Sequence, residues 1–239
     1  MNINVSKTPE ELAGQFADQL MKIIETHSGE KFHLAISGGK TPDLLFSVLA
    51  EKYVHSELWN KVHFWWVDER MVAPDHPESN FRIAHKLLFS QISIPEENIH
   101  RIKGENDPET EANSYSAQIQ EQVPLQENWP VFDLILLGMG DDGHTASIFP
   151  DQMELLHSDS ICAVATHPQS GQKRVTLTGK VINRAKQLVF LVTGESKIER
   201  VSEIFHKTKE ARNLPAFYIA PLTTTAEWHL DEDAAKKIS

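Results

Sequence analysis

Apolar residues recur along the chain in two alternating patterns. After Thr8-Pro9-Glu10-Glu11, the residues Leu12, Phe16, Leu20, Ile23 and Ile24 return at the spacing of one helix face. The start is itself a helix signal: Thr8 serves as N-cap, Pro9 sits in the first turn where its missing N–H costs nothing, and Glu11 closes a capping box. Residues 33–36 predict a short strand, and Thr41-Pro42 opens a second helix carrying Leu44, Leu45, Val48 and Leu49. The run VHFWWV at 62–67 predicts a buried strand, 77–89 a helix, and Asp107-Pro108-Glu109 the cap of another helix carrying Ala112, Tyr115 and Ile119. DLILL at 133–137 is the strongest central-strand signal in the chain. Further strands are predicted at 174–178, 187–192 and 216–219, with a helix at 195–205 whose Ile198, Val201, Ile204 and Phe205 share a face.

Strands separated by helices imply βαβ units, hence one α/β domain over residues 1–239 with a mostly parallel sheet and helices on both faces. Ligands of such folds bind beyond the carboxyl ends of the strands, so the residues that follow strands directly are the ones to examine. Composition narrows the choice. With 239 residues, 40% of them hydrophobic, the chain can bury a proper core. Its 23 Lys+Arg against 34 Asp+Glu leave a net charge of −11, which argues against nucleic acid as a partner. A small anion remains open, because a phosphate pocket needs only a few local cations. The lone Cys162 excludes an internal disulfide and a multi-cysteine metal site, and within Ile161-Cys162-Ala163-Val164 it reads as a buried core residue. The first residues lack the basic-then-apolar pattern of a secretory signal, and no run approaches the ~18 apolar residues of a membrane span. The expectation is a cytoplasmic protein without a membrane partner.

Four segments after strands carry candidate chemistry. Ser37-Gly38-Gly39-Lys40-Thr41-Pro42 joins a strand to a helix; its glycines let backbone approach a ligand, and the helix start presents free N–H groups suited to a phosphate. It is not a nucleotide P-loop, because position 34 is Leu where that motif has glycine. A monophosphate fits the short loop better than a triphosphate, and a plain tight turn is the bland alternative. Asp68-Glu69-Arg70 ends the VHFWWV strand, pointing into solvent or into a site, and His76, Ser79 and Asn80 follow as a polar set. Gly138-Met139-Gly140-Asp141-Asp142-Gly143-His144 contains a literal G-x-G-x-x-G, but mid-chain and with two acids where a pyrophosphate would lie. It reads better as a catalytic loop: Asp142 orients or charge-couples His144, and a helix start around Thr145 offers N–H donors to an oxyanion. Arg174 and Lys197 also follow strand signals. Lys197, in a first helical turn, has an electrostatic reason to meet an anion, and with Ser37-Gly38-Gly39 the two cations compose a phosphate grip.

Taken together and in this order, SGGKTP, VDERMVAPDHPESN, LLGMGDDGHTASIFP, RVTLT and LVTGESK resemble the 6-phosphogluconolactonases over roughly residues 10 to 225. The resemblance implies a Rossmann-like sheet, shared with the glucosamine-6-phosphate deaminase/isomerases, and hydrolysis of 6-phospho-D-glucono-1,5-lactone in the oxidative pentose phosphate pathway. It implies no metal and no organic cofactor, a small sugar-phosphate lactone as partner, and a monomer or weak homo-oligomer. The deaminases carry a Glu where this chain has Phe149, so proton exchange for ring opening is lost. On this reading Ser37, Gly38, Gly39, Thr41, Arg174 and Lys197 hold the phosphate. His144 is the general base, supported by Asp142, and Arg70 serves oxyanion or phosphate. Asp68, which matches the proton-moving acid of the deaminases, is expected to orient Arg70. The rivals are an amino-sugar-phosphate isomerase or deaminase, and a non-catalytic sugar-phosphate sensor, for which no DNA-binding segment is expected.

Overall fold

The computed structural model describes residues 2–222 and 225–238. Its strands are β1 (Asn2–Ser6), β2 (Phe32–Ile36), β3 (Val62–Trp66), β4 (Asp68–Arg70), β5 (Ile99–His100), β6 (Leu125–Gln126), β7 (Trp129–Pro130), β8 (Leu134–Leu137), β9 (Cys162–Thr166), β10 (Lys173–Leu177), β11 (Leu188–Val192) and β12 (Glu227–Asp231). Its α-helices are α1 (Pro9–Thr26), α2 (Lys40–Tyr53), α3 (Asn80–Ala84), α4 (Pro108–Gln122), α5 (Gly179–Ile182), α6 (Ile198–His206) and α7 (Glu232–Ala235). Thr8 Oγ1 caps α1 by accepting the Glu11 N–H, and Asp107 Oδ1 caps α4 by accepting that of Thr110.

A seven-stranded sheet in the order β1-β12-β11-β8-β2-β3-β5 forms the centre, and every pairing in it is parallel. β2, β3, β8 and β11 are buried along their whole length, as strands covered on both faces must be. From β2 the chain adds β3 and β5 on one side; from β8 it adds β11 and β12 on the other. The turns after β2 and β8 therefore diverge, opening a crevice at the carboxyl ends where the winding reverses. No helix among the described residues is long and apolar enough to cross a membrane.

The α/β, mostly parallel architecture matches the sequence reading, with differences that have local causes. Residues 174–178 do form a strand, but in a separate antiparallel sheet, β4-β10-β9. The β3 chain runs on through Val67, which bonds Ile36 and then Leu177, and so leaves one sheet for the other. The strand expected at 216–219 is instead a 3₁₀ turn, Pro215–Tyr218, with Pro215 at its first position. β1 and β12 escaped the pattern: β1 is an edge strand with Ile3 and Val5 exposed, and β12 buries His229 and Asp231. The helix expected from 77 begins at Asn80, because Ser79 is its cap, and it ends in a π-turn, His85–Phe89. Cys162 is a free, buried thiol that burial pushes up to about 12.

Candidate active site

The loop after β2 shapes one wall. Gly39 has φ 122°, a conformation open to glycine, and it caps α2 without a side chain, leaving the first N–H groups of that helix to the crevice. A Cβ on Gly38 would lie 2.0 Å from Asn80 Oδ1, so backbone must pass there bare. Ser37 Oγ donates to the Leu136 carbonyl at 2.9 Å, tying the ends of β2 and β8 together. Thr41 Oγ1 lies 2.8 Å from Thr193 Oγ1, which joins this helix start to the loop after β11.

The loop after β8 holds the histidine. Gly140 N–H donates to the His144 carbonyl, and a Cβ on Gly140 would meet the His144 ring at 2.2 Å. His144 Nδ1 is 2.6 Å from Asp142 Oδ1, which also accepts the His144 backbone N–H at 3.1 Å. Burial by itself would raise the Asp142 carboxyl, but the hydrogen bond and charge of His144 outweigh it and hold Asp142 at about 2. An ionised carboxylate only accepts, so Nδ1 carries the proton toward it and Nε2 is the ring nitrogen left for the cavity. Phe149, fully buried, packs its ring 4.9 Å from that of His144, and the Arg174 guanidinium lies 5.7 Å from the Phe149 ring centre.

The helix start expected around Thr145 does not form. The chain makes a tight turn instead, with Ala146 at φ 51°, and the N–H groups of Ser147 and Ile148 bond Thr176 Oγ1 and the Thr145 carbonyl. Those donors are spent, so they offer nothing to an oxyanion.

The third wall depends on the pairing of β4 with β10, which sets Arg70 opposite Arg174 and Asp68 opposite Thr176. Alternation along β4 turns Asp68 and Arg70 to the cavity and Glu69 away from it. Asp68 Oδ2 accepts from Ser147 Oγ at 2.6 Å and stands 3.9 Å from an Arg174 nitrogen. The expectation that Asp68 orients Arg70 is thus corrected: Arg70 donates to the Glu78 carbonyl at 2.6 Å, and the acid serves Ser147 and Arg174. The cause is the β4–β10 register, which no local signal carries. Glu69, buried, accepts from the backbone of Arg70, Asn80 and Phe81 and from Ser79 Oγ, fastening the rim. Burial pushes its carboxyl up against those hydrogen bonds. Among the described residues, the buried Nε atoms of Arg70 and Arg174 have no hydrogen-bond partner.

One cavity of about 530 Å³ is lined by Ser37, Gly38, Gly39, Thr41, Asp68, Arg70, His144, Arg174 and Lys197. Every expected site residue faces it except Asp142, which reaches it through His144. Sequence reasoning gave no role to Lys40, Asp141, Thr193, Gly194 and Ser196, and placed Asn80 only in a polar set that could line a pocket; all six line the cavity. All but Asn80 lie in segments following β2, β8 or β11, the signal that found their neighbours. Of the polar set after β4, only Asn80 faces the cavity; Ser79 caps α3, and His76 is exposed. Lys197 does meet an anion, the carboxylate of Asp141.

Fold and cavity define an α/β protein whose topological switch point opens into a cavity lined by Arg70, Arg174, Lys197 and the glycine turn after β2. The family model described as Glucosamine-6-phosphate isomerases/6-phosphogluconolactonase matches residues 7–228, and the chain belongs to that family. Within it, a 6-phosphogluconolactonase of Aggregatibacter actinomycetemcomitans is 44% identical over 215 residues, covering 90% of each chain. Among solved structures, the devB protein superposes with a TM-score of 0.94 at 43% identity, covering 100% of this chain and 99% of that one. The 6-phosphogluconolactonase of Trypanosoma brucei superposes with a TM-score of 0.85 at 29% identity, covering 100% of this chain and 98% of the other.

Proposed function

We propose that this protein hydrolyses 6-phospho-D-glucono-1,5-lactone to 6-phospho-D-gluconate, the second step of the oxidative pentose phosphate pathway, in the cytoplasm. The observation that carries the reading is His144, backed by Asp142, facing the same cavity as the Ser37-Gly38-Gly39 turn, in a chain whose relatives are named for this reaction. The phosphate sits against the start of α2, held by Ser37, Gly38, Gly39 and Thr41, with Lys197 and Arg174 supplying charge. That remote grip fixes the ring for attack. His144 Nε2 takes a proton from the water that adds to the lactone carbonyl carbon, while Asp142 supports the imidazolium. Arg70 faces the developing oxyanion, a task the spent N–H groups of Ser147 and Ile148 cannot take. When the tetrahedral species collapses, the C–O bond to the ring oxygen breaks and His144 returns the proton to that oxygen. The product is a carboxylate and a free hydroxyl, with one proton released to solvent. Asp68 fixes Arg174 and Ser147 and thereby the floor of the site.

Phe149 favours this reaction over an isomerase or deaminase. It forms a buried apolar wall behind His144 and cannot exchange a proton. The test is a coupled assay: fresh lactone, the protein, and 6-phosphogluconate followed through its NADP-dependent dehydrogenase against the spontaneous rate. Acceleration for the phosphorylated lactone is expected, and little for glucono-1,5-lactone, whose hydrolysis is followed by the acid it releases. A rate equal to the blank, with folded protein, overturns the reading.

A further inference from the structure

Asp141 neighbours Asp142 in sequence but faces elsewhere. Its carboxylate crosses from the loop after β8 to the loop after β11, where Oδ1 accepts from Ser196 Oγ at 2.8 Å and pairs with the Lys197 ammonium. One oxygen receives both donors, and all three side chains line the cavity. The two partners differ in freedom: the Lys197 side chain is 18% exposed, that of Asp141 71%. The ammonium is set into the wall, while the acid stands at the rim, where a carboxylate can turn to water at little cost because exposed ion pairs contribute little. The other acids of the site are committed differently, Asp142 to His144 and Asp68 to Ser147 and Arg174.

We propose that Asp141 is an internal competitor for the phosphate: it occupies Lys197 and Ser196 until a phosphoryl group displaces it. The inference rests on the lactonase reading for the identity of the phosphate ester. A dianionic phosphate at Lys197 would stand beside the Asp141 carboxylate, and two anions cannot share one ammonium without repulsion. Binding of the phosphate therefore includes release of Asp141 into solvent. Substrate and product carry the same phosphate, so the competition weakens both alike. It raises KM and speeds product departure without touching the chemical step. Asp141 sets affinity by acting through Lys197, with no part in proton transfer.

The experiment is a calorimetric titration of 6-phosphogluconate, and separately of inorganic phosphate, into wild type, Asp141→Asn, Lys197→Ala and the double variant. Asp141→Ser is a second probe of the same position. Removing the charge at 141 is expected to lower Kd for 6-phosphogluconate by about three- to tenfold, the scale of a partly exposed ion pair. KM for the lactone falls in parallel. In the Lys197→Ala background the gain disappears, since there is no ammonium left to contest. Weaker or unchanged binding in Asp141→Asn overturns the proposal, because Asp141 would then be organising Lys197. An equal gain without Lys197 also overturns it, pointing to diffuse repulsion. No binding in any of the four proteins removes the phosphate site and this proposal with it. The expected pattern in a protein that leaves the lactone at its spontaneous rate keeps the competition and discards the lactonase reading.

Discussion

Histidine is used in opposite ways in two regions of this molecule. His144 stands at the carboxyl end of the sheet with a carboxylate 2.6 Å from Nδ1 and its side chain 26% exposed. His33, His63 and His100 lie inside, on neighbouring strands β2, β3 and β5. His63 Nδ1 is 2.9 Å from His100 Nε2, the Trp65 indole N–H donates to His33 Nδ1, and the Trp65 ring stacks on His100 at 4.0 Å. No carboxylate hydrogen-bonds these three rings among the described residues. Burial pushes His33 down to about 4 and His100 to about 3, with neighbouring imidazoles adding to the shift, and it lowers His63 as well. A side chain type does not make a site. His144 has a hydrogen-bonded anion and an opening to solvent, whereas the three buried imidazoles have neither and burial holds them toward the neutral form, as packing groups.

The contrast can be broken at either end. The largest effect is expected at His144: replacement by Ala should cut turnover by about 10²–10⁴-fold in the coupled assay, whereas His63→Gln should leave the rate of folded protein near wild type. Near-normal turnover in His144→Ala removes the base assignment. Next is Asp142→Asn, which keeps the shape and deletes the charge. A loss in kcat smaller than that of His144→Ala, with KM little changed, is expected; a change confined to KM would place Asp142 in binding instead. Lys197→Ala should raise KM by about tenfold, roughly the energy of one charge-assisted contact, with kcat kept. An unmoved KM counts against the grip.

The smallest effect concerns stability. The buried histidines bind protons less readily when folded than when unfolded. Between their ordinary value of about 6.5 and their folded values near 3 to 4, the unfolded chain therefore holds more protons, and stability falls as pH falls. Above about 6.5 both states are neutral and this contribution is flat. Thermal unfolding from pH 7 to pH 4 should show Tm dropping through this window, and His100→Gln should make the drop shallower. An unaltered slope in that variant would assign acid sensitivity to other groups.

The two regions also differ in how far they could be read from the residues. DLILL, the capped start of α1 and the capped start of α4 are local patterns, and they fold as their periodicity and caps dictate. SGGKTP and GDDGH are likewise local: the glycine turn into α2 and the Asp142–His144 couple span few residues, so spacing announces them. The histidine ladder spans three strands and carries no such pattern. Edge strand β1, with its outward apolar residues, and β12, whose Asp231 binds the Gly194 N–H, depend on neighbours far along the chain. The 216–219 segment is apolar enough for a strand but pairs with no strand among the described residues, and Pro215 starts a turn instead.

The sequence by itself determined the α/β class, the turns that follow β2, β8 and β11, and the residue types placed there, because helix period, strand runs, caps and glycine turns act over a few residues. Only the tertiary structure decided which of those residues meet. The transfer of the β3 chain into a second sheet at Val67, and the β4–β10 register that sets Arg70 beside Arg174, put Asp68 on Ser147 and Arg174. The parallel pairing of β8 with β11 sets the loops after them side by side and so brings Asp141 across to Lys197. Such contacts join residues that lie up to about a hundred positions apart, and their geometry follows from strand order and register, which no run of neighbouring residues encodes.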